Sequence, residues 1–535
     1  MTGGWNYADV WEAVAERFPD ARALVHGDRE VTWQTFDERA NGVAHALLRE
    51  GLGRQAKVAQ YQRNRPEYLE VLFACFKSSL VPVNTNYRYM DDELRYLWTN
   101  SDAEAVVFDA EFTDTVDRLR DHLPAVRLWL RVGDAASCPE WAAPYDAAAT
   151  CHPGHVADAR GRSGDDLYLL YTGGTTGNPK GVMWRQDDLF AMLEKSQGTQ
   201  LPDTAGAAGF VASFERPGVT ALPAAPLMHG TAMWFVMPIL ARGGSIVTLT
   251  QPSLEPVELL DATVARGVKG LCIVGEAFAR PLLKELDAAP DRWDLSGLRV
   301  VFSSGAVLGR DSKRRFLRHA PKVKVVDGLG TSESGALARS VTDDRSETDT
   351  ALFKLSPTAR VIDAEGNDVV PGSAVRGRLA VGGHIPLGYY GDPEKTASTF
   401  LTLGDRRFVV AGDWATLDED GVITLLGRGS SCINTAGEKV YPEEVEEVLK
   451  AFPGVADAGV IGVSDDRFGE AVTAIVQLEP GVELNEADLI AHAKAHLAHY
   501  KAPKRVLADS SFPRGPNGKL DHKALRARAL QTPDG

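Results

Sequence analysis

Residues 171–182, YTGGTTGNPKGV, are of types that bind phosphate rather than build a core. Seven of these twelve residues are Gly or Thr, and Lys180 follows Pro179 near the end. Glycines let the backbone approach a ligand and point N–H groups at it, while hydroxyls and an ammonium add donors and charge. The stretch therefore predicts a loop that holds a phosphate-bearing ligand, with a flexible surface loop as the alternative. It is not the loop of kinases and GTPases, which needs Gly-Lys-Ser/Thr at the start of a helix.

The surrounding elements predict an α/β protein, because apolar runs alternate with helical patterns through most of the first 430 residues. One helix is expected to begin after Thr32, its N-cap, and to end at Gly51. Small residues follow several apolar runs at the strand ends, which form the edge where open α/β sheets bind ligands. We expect buried strands at 103–109, 244–250, 270–275, 298–305 and 323–330.

The length of 535 residues exceeds one ordinary core and predicts more than one domain. From about Leu379 the pattern changes to short strands and turns, which we expect to form a small β-barrel-like part. After Arg428 the chain predicts a helix from Pro442, two strands and a further helix at 485–498. We therefore predict a large N-terminal α/β domain over 1–428 and a small α+β domain over 429–535.

The composition excludes several classes of protein. A net charge of −15 provides no general attraction for nucleic acid or anionic lipid. The N-terminus lacks the pattern of a secretory signal, and no apolar run reaches the roughly 20 residues of a membrane span. Five scattered cysteines favour a reducing cytoplasm over a disulfide framework or a zinc site. These features leave the oligomeric state open, a homo-oligomer included.

Further motifs accompany residues 171–182 and give the chain a family resemblance. They are PLMHG (226–230), SSGAVLG (303–309), GLGTSESG (328–335), AGDW (411–414), GRGSSCINTAGEKVYPEEVE (427–446), HYKAPKRV (499–506) and PRGPNGKL (513–520). With these motifs, roughly residues 20–525 resemble the AMP-forming acyl-CoA synthetase, or adenylate-forming, superfamily, which includes adenylation domains and luciferases. The sequences of these motifs are most similar to those of actinobacterial long-chain and steroid-side-chain acyl-CoA synthetases.

The resemblance implies a reaction in two steps. A carboxylic acid first attacks ATP to give an acyl-adenylate and pyrophosphate, and the CoA thiol then displaces AMP. Charge develops on the phosphates in the first step and must meet fixed donors and cations. The implied cofactors and co-substrates are ATP, Mg²⁺ and CoA, and the implied partner is a small-molecule acid.

The resemblance also assigns nucleotide-binding residues. Ser332 would donate to the α-phosphate and Glu333 would hold Mg²⁺, a hard cation that prefers oxygen ligands. Asp413 would accept from the ribose hydroxyls, with Arg428 assisting. The phosphates would lie against Thr172, Gly173, Gly174, Thr175, Thr176, Gly177 and Lys180. The adenine would lie against Gly305, Ala306, Val307, Asp327, Gly328, Leu329 and Gly330, with Leu329 giving an aliphatic face.

Lys519, in PNGKL, is the residue that the resemblance assigns to the reacting oxygens of the first step, although a lysine near a terminus is usually an exposed tail residue. The small domain of the family is mobile and turns about a hinge that corresponds here to Ser431. A backbone loop containing Gly437, Glu438 and Lys439 would then line the CoA tunnel. Ser431 and Asn434 replace the residues usual in the family, which leaves the stabilisation of each end state open.

The acyl pocket implied by the resemblance begins at His229, which lies in PLMHG and would close it near the α-phosphate. Small residues at its floor predict room for a long or bulky acid. Glu276 is either a rim residue with its own partners or a selector of a substrate that bears a donor. The predicted lining is His229, Trp234, Gly275, Glu276, Ala277 and Gly330.

Other readings remain open at this point. The same ATP chemistry can load a carrier protein or activate nitrite for the diazotisation of an aryl amine, and no residue named above excludes either. A nucleotide-binding pseudoenzyme is less favoured, because the chain retains a full set of residues that the resemblance assigns to the reaction. They are Lys180, Glu333, Asp413, Arg428 and Lys519.

Overall fold

The computed structural model describes residues 4–157, 161–172, 178–201, 206–306, 308–344, 352–373, 375–428, 433–440, 442–509, 512 and 522–531. The chain divides into two compact units. Unit 1 contains residues 1–87, 98–171 and 181–426, and unit 2 contains residues 88–97, 172–180 and 427–535.

The helices of the chain up to residue 426 begin with an amphipathic pair and end with a short connecting helix. They are α1 (Tyr7–Arg17), α2 (Trp33–Arg49), α3 (Pro66–Lys77), α4 (Asp91–Asn100), α5 (Thr113–Arg120), α6 (Tyr145–Thr150), α7 (Gln186–Ser196), α8 (Gly206–Ala212), α9 (Gly230–Ala241), α10 (Pro256–Ala265), α11 (Gly275–Ala288), α12 (Arg310–His319) and α13 (Pro393–Thr399).

The strands of the same part are mostly short. They are β1 (Arg22–His26), β2 (Arg29–Thr32), β3 (Lys57–Tyr61), β4 (Val81–Asn84), β5 (Ala103–Asp109), β6 (Leu128–Val132), β7 (Ala143–Pro144), β8 (Leu167–Thr172), β9 (Lys180–Arg185), β10 (Thr220–Pro223), β11 (Ser245–Thr248), β12 (Gly270–Ile273), β13 (Val300–Ser304), β14 (Lys324–Thr331), β15 (Gly335–Thr342), β16 (Leu352–Leu355), β17 (Ala359–Ile362), β18 (Gly377–Val381), β19 (Gly388–Tyr389), β20 (Phe400–Leu403), β21 (Arg406–Val409), β22 (Asp413–Leu417) and β23 (Val422–Arg428).

A mixed sheet of 15 strands, which we call sheet A, has the order β2-β1-β11-β10-β12-β13-β14-β15-β16-β23-β22-β18-β21-β20, with β17 beside β18. Its strands β1, β11, β10, β12, β13 and β14 are parallel. The chain from about Leu379, which we expected to be barrel-like, contributes β18, β20, β21, β22 and β23 to this sheet, where β18 pairs antiparallel with β21 and β22, and β20 pairs antiparallel with β21. Among the described strands none closes a barrel.

A second sheet, sheet B, has the order β19-β9-β8-β4-β3-β5-β6-β7. Strands β4, β3, β5 and β6 pair in parallel, and their connections contain helices, as parallel crossovers require. Four helix residues with fully buried rings, Trp11, Trp33, Phe36 and Phe73, belong to the largest apolar cluster of the described residues. The α/β class predicted from the sequence is therefore confirmed.

The local patterns place the elements as expected. The Thr32 side chain accepts a hydrogen bond from the Thr35 N–H and caps α2, which ends one residue before Glu50. Gly51 follows with φ +75°, a left-handed conformation that glycine adopts without strain. The predicted buried strands correspond to β5, β11, β12, β13 and β14, with shifts at most of their ends.

Unit 2 contains an α+β arrangement in its last hundred residues. Its elements are β24 (Ile433–Thr435), β25 (Glu438–Val440), α14 (Pro442–Lys450), β26 (Val455–Asp465), β27 (Gly469–Leu478), α15 (Glu486–His496), β28 (Arg505–Ala508) and α16 (His522–Gln531). The sheet order is β25-β24-β27-β26, with β28 parallel to β27.

A buried ion triad lies inside unit 2. Lys501 Nζ is 2.6 Å from Glu93 Oε1 and 2.5 Å from Glu444 Oε1, and all three side chains are at least nine-tenths buried. The Ala498 N–H also donates to Glu93 Oε2 at 2.9 Å. Burial raises the pKa of Glu444 to about 7, with Lys501 lowering it and Glu93 raising it. Residues 88–97 are thus joined to the C-terminal part of unit 2 by buried charge.

Within the described ranges, no helix is both long and apolar enough to cross a membrane.

Candidate active site

A tight hairpin carries the two polar residues predicted to face the α-phosphate and the metal. Strands β14 and β15 are antiparallel, Thr331 pairs with Gly335, and Ser332, Glu333 and Ser334 form the connection. The Thr331 and Ser334 side chains each accept a hydrogen bond from the other's backbone N–H, both at 3.1 Å. A Cβ added at Gly330 would lie 2.3 Å from the Gly335 carbonyl oxygen, so only glycine fits there. The GLGTSESG pattern is therefore the sequence of a hairpin tip.

Two buried aromatic residues hold this tip. Trp184 Nε1 donates to the Ser332 carbonyl oxygen at 2.9 Å, and Trp184 is fully buried. The Tyr389 hydroxyl donates to Glu333 Oε1 at 2.8 Å. Tyr389 in turn sits on β19, which pairs with β9. The positions of Ser332 and Glu333 are thus fixed from sheet B as well as from sheet A.

The ends of β12 and β13 place the predicted adenine and pocket glycines next to one another. The Gly275 N–H donates to Ser303 Oγ at 3.0 Å. Gly305 has φ +89°, and a Cβ added there would lie 3.5 Å from Thr231 Oγ1. Ala306 and Leu329 are half-buried and pack against the large apolar cluster. This is the carboxyl edge of parallel strands, where the sequence predicted a ligand.

Asp327 has a partner that sequence reasoning missed. Its carboxylate lies 3.2 Å from Lys313 Nζ, and the Lys313 side chain is 1% exposed. Burial raises the pKa of Asp327 to about 6, and Lys313 opposes that rise. Lys313 lies on the buried face of α12 with Ser312 and Phe316.

His229 is the residue before α9 and stands at its N-cap without a side-chain capping bond. Asn84 at the end of β4 holds the neighbouring segments together. Its amide donates to the Tyr171 carbonyl at 2.9 Å and to the Met228 carbonyl at 2.7 Å, and it accepts from the Tyr171 N–H. One buried asparagine therefore couples the residue just before the predicted phosphate loop to the residue just before His229.

The predicted pocket residues differ in what they contact. Trp234 is half-buried and meets Trp184 edge-on at a centroid distance of 6.0 Å. Its buried Nε1 has no hydrogen-bond partner among the described residues. Glu276 accepts from the Gly309 N–H at 2.6 Å, the Ser312 hydroxyl at 2.8 Å and Arg280 Nε at 3.1 Å. Glu276 thus connects α11 to α12. This favours the first of its two predicted roles, that of a rim residue with its own partners. Ala277, beside it on α11, is half-buried.

Asp413, the predicted ribose ligand, is the first residue of β22 and is buried. It follows Gly412, whose φ of +93° favours glycine. Arg428 ends β23, and its side chain lies outside the described part.

Besides Arg428, five of the predicted residues are described in unit 2. Thr172 ends β8 and Lys180 begins β9, and both are half-buried. Gly437, with φ +83°, connects β24 to β25. Glu438 Oε1 accepts from Arg88 Nη1 at 2.9 Å, and Lys439 follows on β25.

The remaining predicted positions lie outside the described residues. They are Gly173, Gly174, Thr175, Thr176, Gly177, Val307, Ser431 and Lys519.

No group of three or more His, Cys, Asp or Glu side chains that could hold a metal occurs in the described parts of the chain. Mg²⁺ in phosphate chemistry is commonly held by one or two carboxylates together with the substrate phosphates and water. A single carboxylate at Glu333, oriented by Tyr389, fits that requirement.

Two family models match this chain. The model described as "AMP-binding enzyme" matches residues 11–390, and the model described as "AMP-binding enzyme C-terminal domain" matches residues 444–519.

Curated relatives match along nearly the whole length. A medium/long-chain-fatty-acid–CoA/3-oxocholest-4-en-26-oate–CoA ligase of Mycolicibacterium smegmatis is 38% identical over 97% of this chain and 95% of its own. A 3-oxocholest-4-en-26-oate–CoA ligase of Rhodococcus rhodochrous is 37% identical over the same shares. A feruloyl-CoA synthase of an Amycolatopsis species is 32% identical over 96% and 97%.

Solved structures match as well. The amide bond synthetase McbA from Marinactinospora thermotolerans superposes with a TM-score of 0.81 at 24% identity, over 98% of this chain and 99% of its own, which shows the fold. ATP-bound MatB from Rhodopseudomonas palustris matches with a TM-score of 0.65 at 26% identity, over the same shares.

Proposed function

Because the chain belongs to the AMP-binding enzyme family, we propose that it joins a carboxylic acid to AMP with release of pyrophosphate and then transfers the acyl group to CoA. It is an AMP-forming acid–thiol ligase of the acyl-CoA synthetase type. The observation that carries this function is the full-length similarity, at 38% and 37% identity, to two CoA ligases.

In the first step, Ser332 and Glu333 would act from the hairpin tip on the phosphates. The donors must already be in place where charge develops, since reorganising them during the reaction would raise the barrier. The bonds from Trp184 to the Ser332 carbonyl and from Tyr389 to Glu333 support such a fixed arrangement. When bound, Mg²⁺ at Glu333 would neutralise phosphate charge. Lys180, Lys519 and the threonines before Lys180 would supply the remaining positive charge and hydroxyl donors.

The nucleoside would lie along the carboxyl edge of sheet A. Gly305, Ala306 and Leu329 offer small and aliphatic surface for the adenine, and the buried Asp413 offers two acceptors for the ribose hydroxyls. Arg428 would assist at the ribose. His229 would close the acyl site beside the α-phosphate.

The second step would use the loop between β24 and β25. Gly437, Glu438 and Lys439 would line the route of the CoA thiol after the C-terminal part turns about Ser431. The backbone conformation of Gly437, at φ +83°, supports a requirement for glycine in that loop. We also propose that the reaction takes place in the cytoplasm, where the scattered cysteines would stay reduced.

The test measures the two half-reactions separately. Pyrophosphate release with ATP, Mg²⁺ and a panel of acids should require an acid, and thioester should appear only when CoA is added. If pyrophosphate is released without thioester formation, and product forms with an added amine or carrier protein, then the acceptor is that amine or carrier protein and not CoA.

The Lys519→Ala variant separates the steps further. Loss of one preorganised donor should slow adenylate formation by on the order of 10²–10³. Thioester formation from supplied acyl-adenylate and CoA should keep most of its rate. Normal adenylation in this variant would show that Lys519 is an exposed tail lysine with no role in the first step.

A further inference from the structure

One face of sheet A keeps a partly accessible strip at β13 and β14. On β13, Val301 and Ser303 are fully buried, whereas Phe302 and Ser304 keep partial exposure. On β14, Val325 and Asp327 are buried, whereas Val326 and Gly328 keep partial exposure. The parallel register pairs Phe302 with Val326 and Ser304 with Gly328, so these four residues share one face. We call this partly accessible strip, together with the helix surface that faces it, the groove.

Helix α9 forms the wall of this groove. Cys272, which pairs with Phe302 across β12 and β13, places its Sγ 3.8 Å from the Thr231 carbonyl oxygen on α9. The opposite face of the sheet packs against α11 and α12 in a separate apolar cluster that includes Val301 and Val325. The groove thus lies on the α9 side alone.

One end of the groove lies at the candidate active site. Thr231, in the first turn of α9, and Gly305, just after β13, approach so closely that an added Cβ would be 3.5 Å from Thr231 Oγ1. His229 precedes α9 at this same end. An acid whose carboxylate lies near His229 would extend its apolar part from here along α9.

One helical turn further, two aromatic rings occupy the groove. Phe235 and Phe302 stack with centroids 5.9 Å apart and planes at 12°. The Phe302 ring lies where a Cβ of Gly328 would approach it to 3.0 Å, and the Phe235 ring lies 3.1 Å from a Cβ added at Gly270. Side chains at Gly270 and Gly328 would therefore meet these two rings.

We infer that Phe235 and Phe302 determine acid specificity by closing the acyl groove, so that the chain favours acids with a short or single-ring apolar part over long-chain and sterol acids. The inference rests on the proposed function. Thr231 and Phe235 are four residues apart, which is about 6 Å along a helix. A long chain or a fused ring system exceeds that depth. A stacked and well-packed pair of rings moves aside for a ligand less readily than a flexible side chain such as methionine does.

The test compares acids of different size in wild-type and variant chains by pyrophosphate release. The probes are hexanoic and benzoic acids as short acids, and hexadecanoic acid and a sterol side-chain acid as long ones. In the wild type, kcat/KM should be at least about tenfold higher for the short acids, since one methylene alone is worth about 10–200-fold in a pocket. Equal or better use of the long acids would overturn the inference.

Two variants, Phe302→Leu and Phe235→Leu, should each shift the long-to-short ratio of kcat/KM toward long acids by about tenfold. The matched control is Phe108→Leu, because Phe108 is buried in sheet B and stacks on Trp141 at 5.7 Å and 15°. This control should leave the ratio unchanged. An unchanged ratio in a variant with a wild-type unfolding temperature would also overturn the inference.

The two proposals fail in different ways. If no acid releases pyrophosphate, the proposed function is wrong and the groove inference falls with it. If acids release pyrophosphate but the long-to-short ratio of kcat/KM is unchanged in both ring variants, only the groove inference is wrong. Having two independent ring variants keeps the test decisive when one of them does not fold.

Discussion

The Tyr389 hydroxyl donates to Glu333 Oε1 at 2.8 Å and so joins a strand of sheet B to the hairpin tip of sheet A. A carboxylate that must hold a metal beside a phosphate works best when its orientation is set before the ligand arrives. Tyr389 is therefore expected to act as a positioning residue for Glu333.

Replacing Tyr389 by Phe should raise the Mg²⁺ concentration needed for pyrophosphate release. A hydrogen bond to a charged group contributes about 1.5–3 kcal/mol, so the loss at limiting Mg²⁺ should be about tenfold or more. The matched control is Tyr390→Phe, which removes a hydroxyl bonded to Asp102 at 2.7 Å. Equal metal titrations of the two variants would show that Tyr389 does not act through Glu333. Glu333→Gln should raise the Mg²⁺ requirement further than Tyr389→Phe does.

The two neighbouring tryptophans provide a second matched pair. Trp184→Phe removes the donor to the Ser332 carbonyl, whereas Trp234→Phe removes an Nε1–H with no partner among the described residues. Trp184→Phe should leave a partly buried carbonyl without this donor and lower the free energy of unfolding by about 1–3 kcal/mol, with slower adenylation. Trp234→Phe should change stability less. Chemical denaturation of both variants checks this, and the reverse order would contradict the assignment.

Lys313→Met should destabilise the chain most at alkaline pH. The folded-state pKa of Asp327, about 6, already exceeds the ordinary 3.8, because burial disfavours the charged carboxylate. The folded state then binds the proton more tightly than the unfolded state, so stability present at low pH is lost as pH rises through the folded pKa. Without Lys313 that pKa should rise further.

The expected loss for Lys313→Met is about 3–5 kcal/mol at pH 8, as for other broken buried pairs, and less at pH 5. Thermal unfolding at the two pH values measures it. The control is Lys450→Met, since Lys450 is a partly exposed lysine 3.5 Å from Asp457. A loss that is equal at both pH values would show that Asp327 is not the group left unpaired.

Lys501→Met should destabilise unit 2 in particular. Its removal leaves the buried carboxylates of Glu93 and Glu444 facing one another, and burial already raises the pKa of Glu444 to about 7. Breaking such a group typically lowers the free energy of unfolding by about 3–5 kcal/mol. Hydrogen exchange of β26 and β27 should accelerate, while exchange in sheet B stays unchanged. The nearby exposed Lys504, replaced by Met, should alter neither.

The sequence predicted the order of strands and helices well where patterning decides the outcome. Ala103–Asp109 is a strand because its apolar run is short and bounded, and Thr32 caps α2 because its side chain accepts from the first turn. The hairpin at 331–335 was visible only as a motif, since its reciprocal Thr331 and Ser334 bonds depend on both strands being in register.

What the sequence could not predict is how space is filled between elements distant in the chain. Gly328 was predicted to lie beside the adenine, but a Cβ added there would be 3.0 Å from the ring of Phe302 on the adjacent strand. The pairing of Lys313 with Asp327 likewise depends on the fold, which brings α12 and β14 together. Glu276 likewise gained its partners from α12 and from Gly309.

The buried ion triad also has a consequence for biosynthesis. Glu93 and Lys501 are 408 positions apart, so the carboxylate is made long before its ammonium partner. At roughly 5–20 residues per second, that interval is on the order of 20–80 s of translation. During this time residues 88–97 cannot reach their final burial, and the first half of α4 must wait in a solvated state. This early segment can therefore reach its final burial only after most of the last hundred residues have been made.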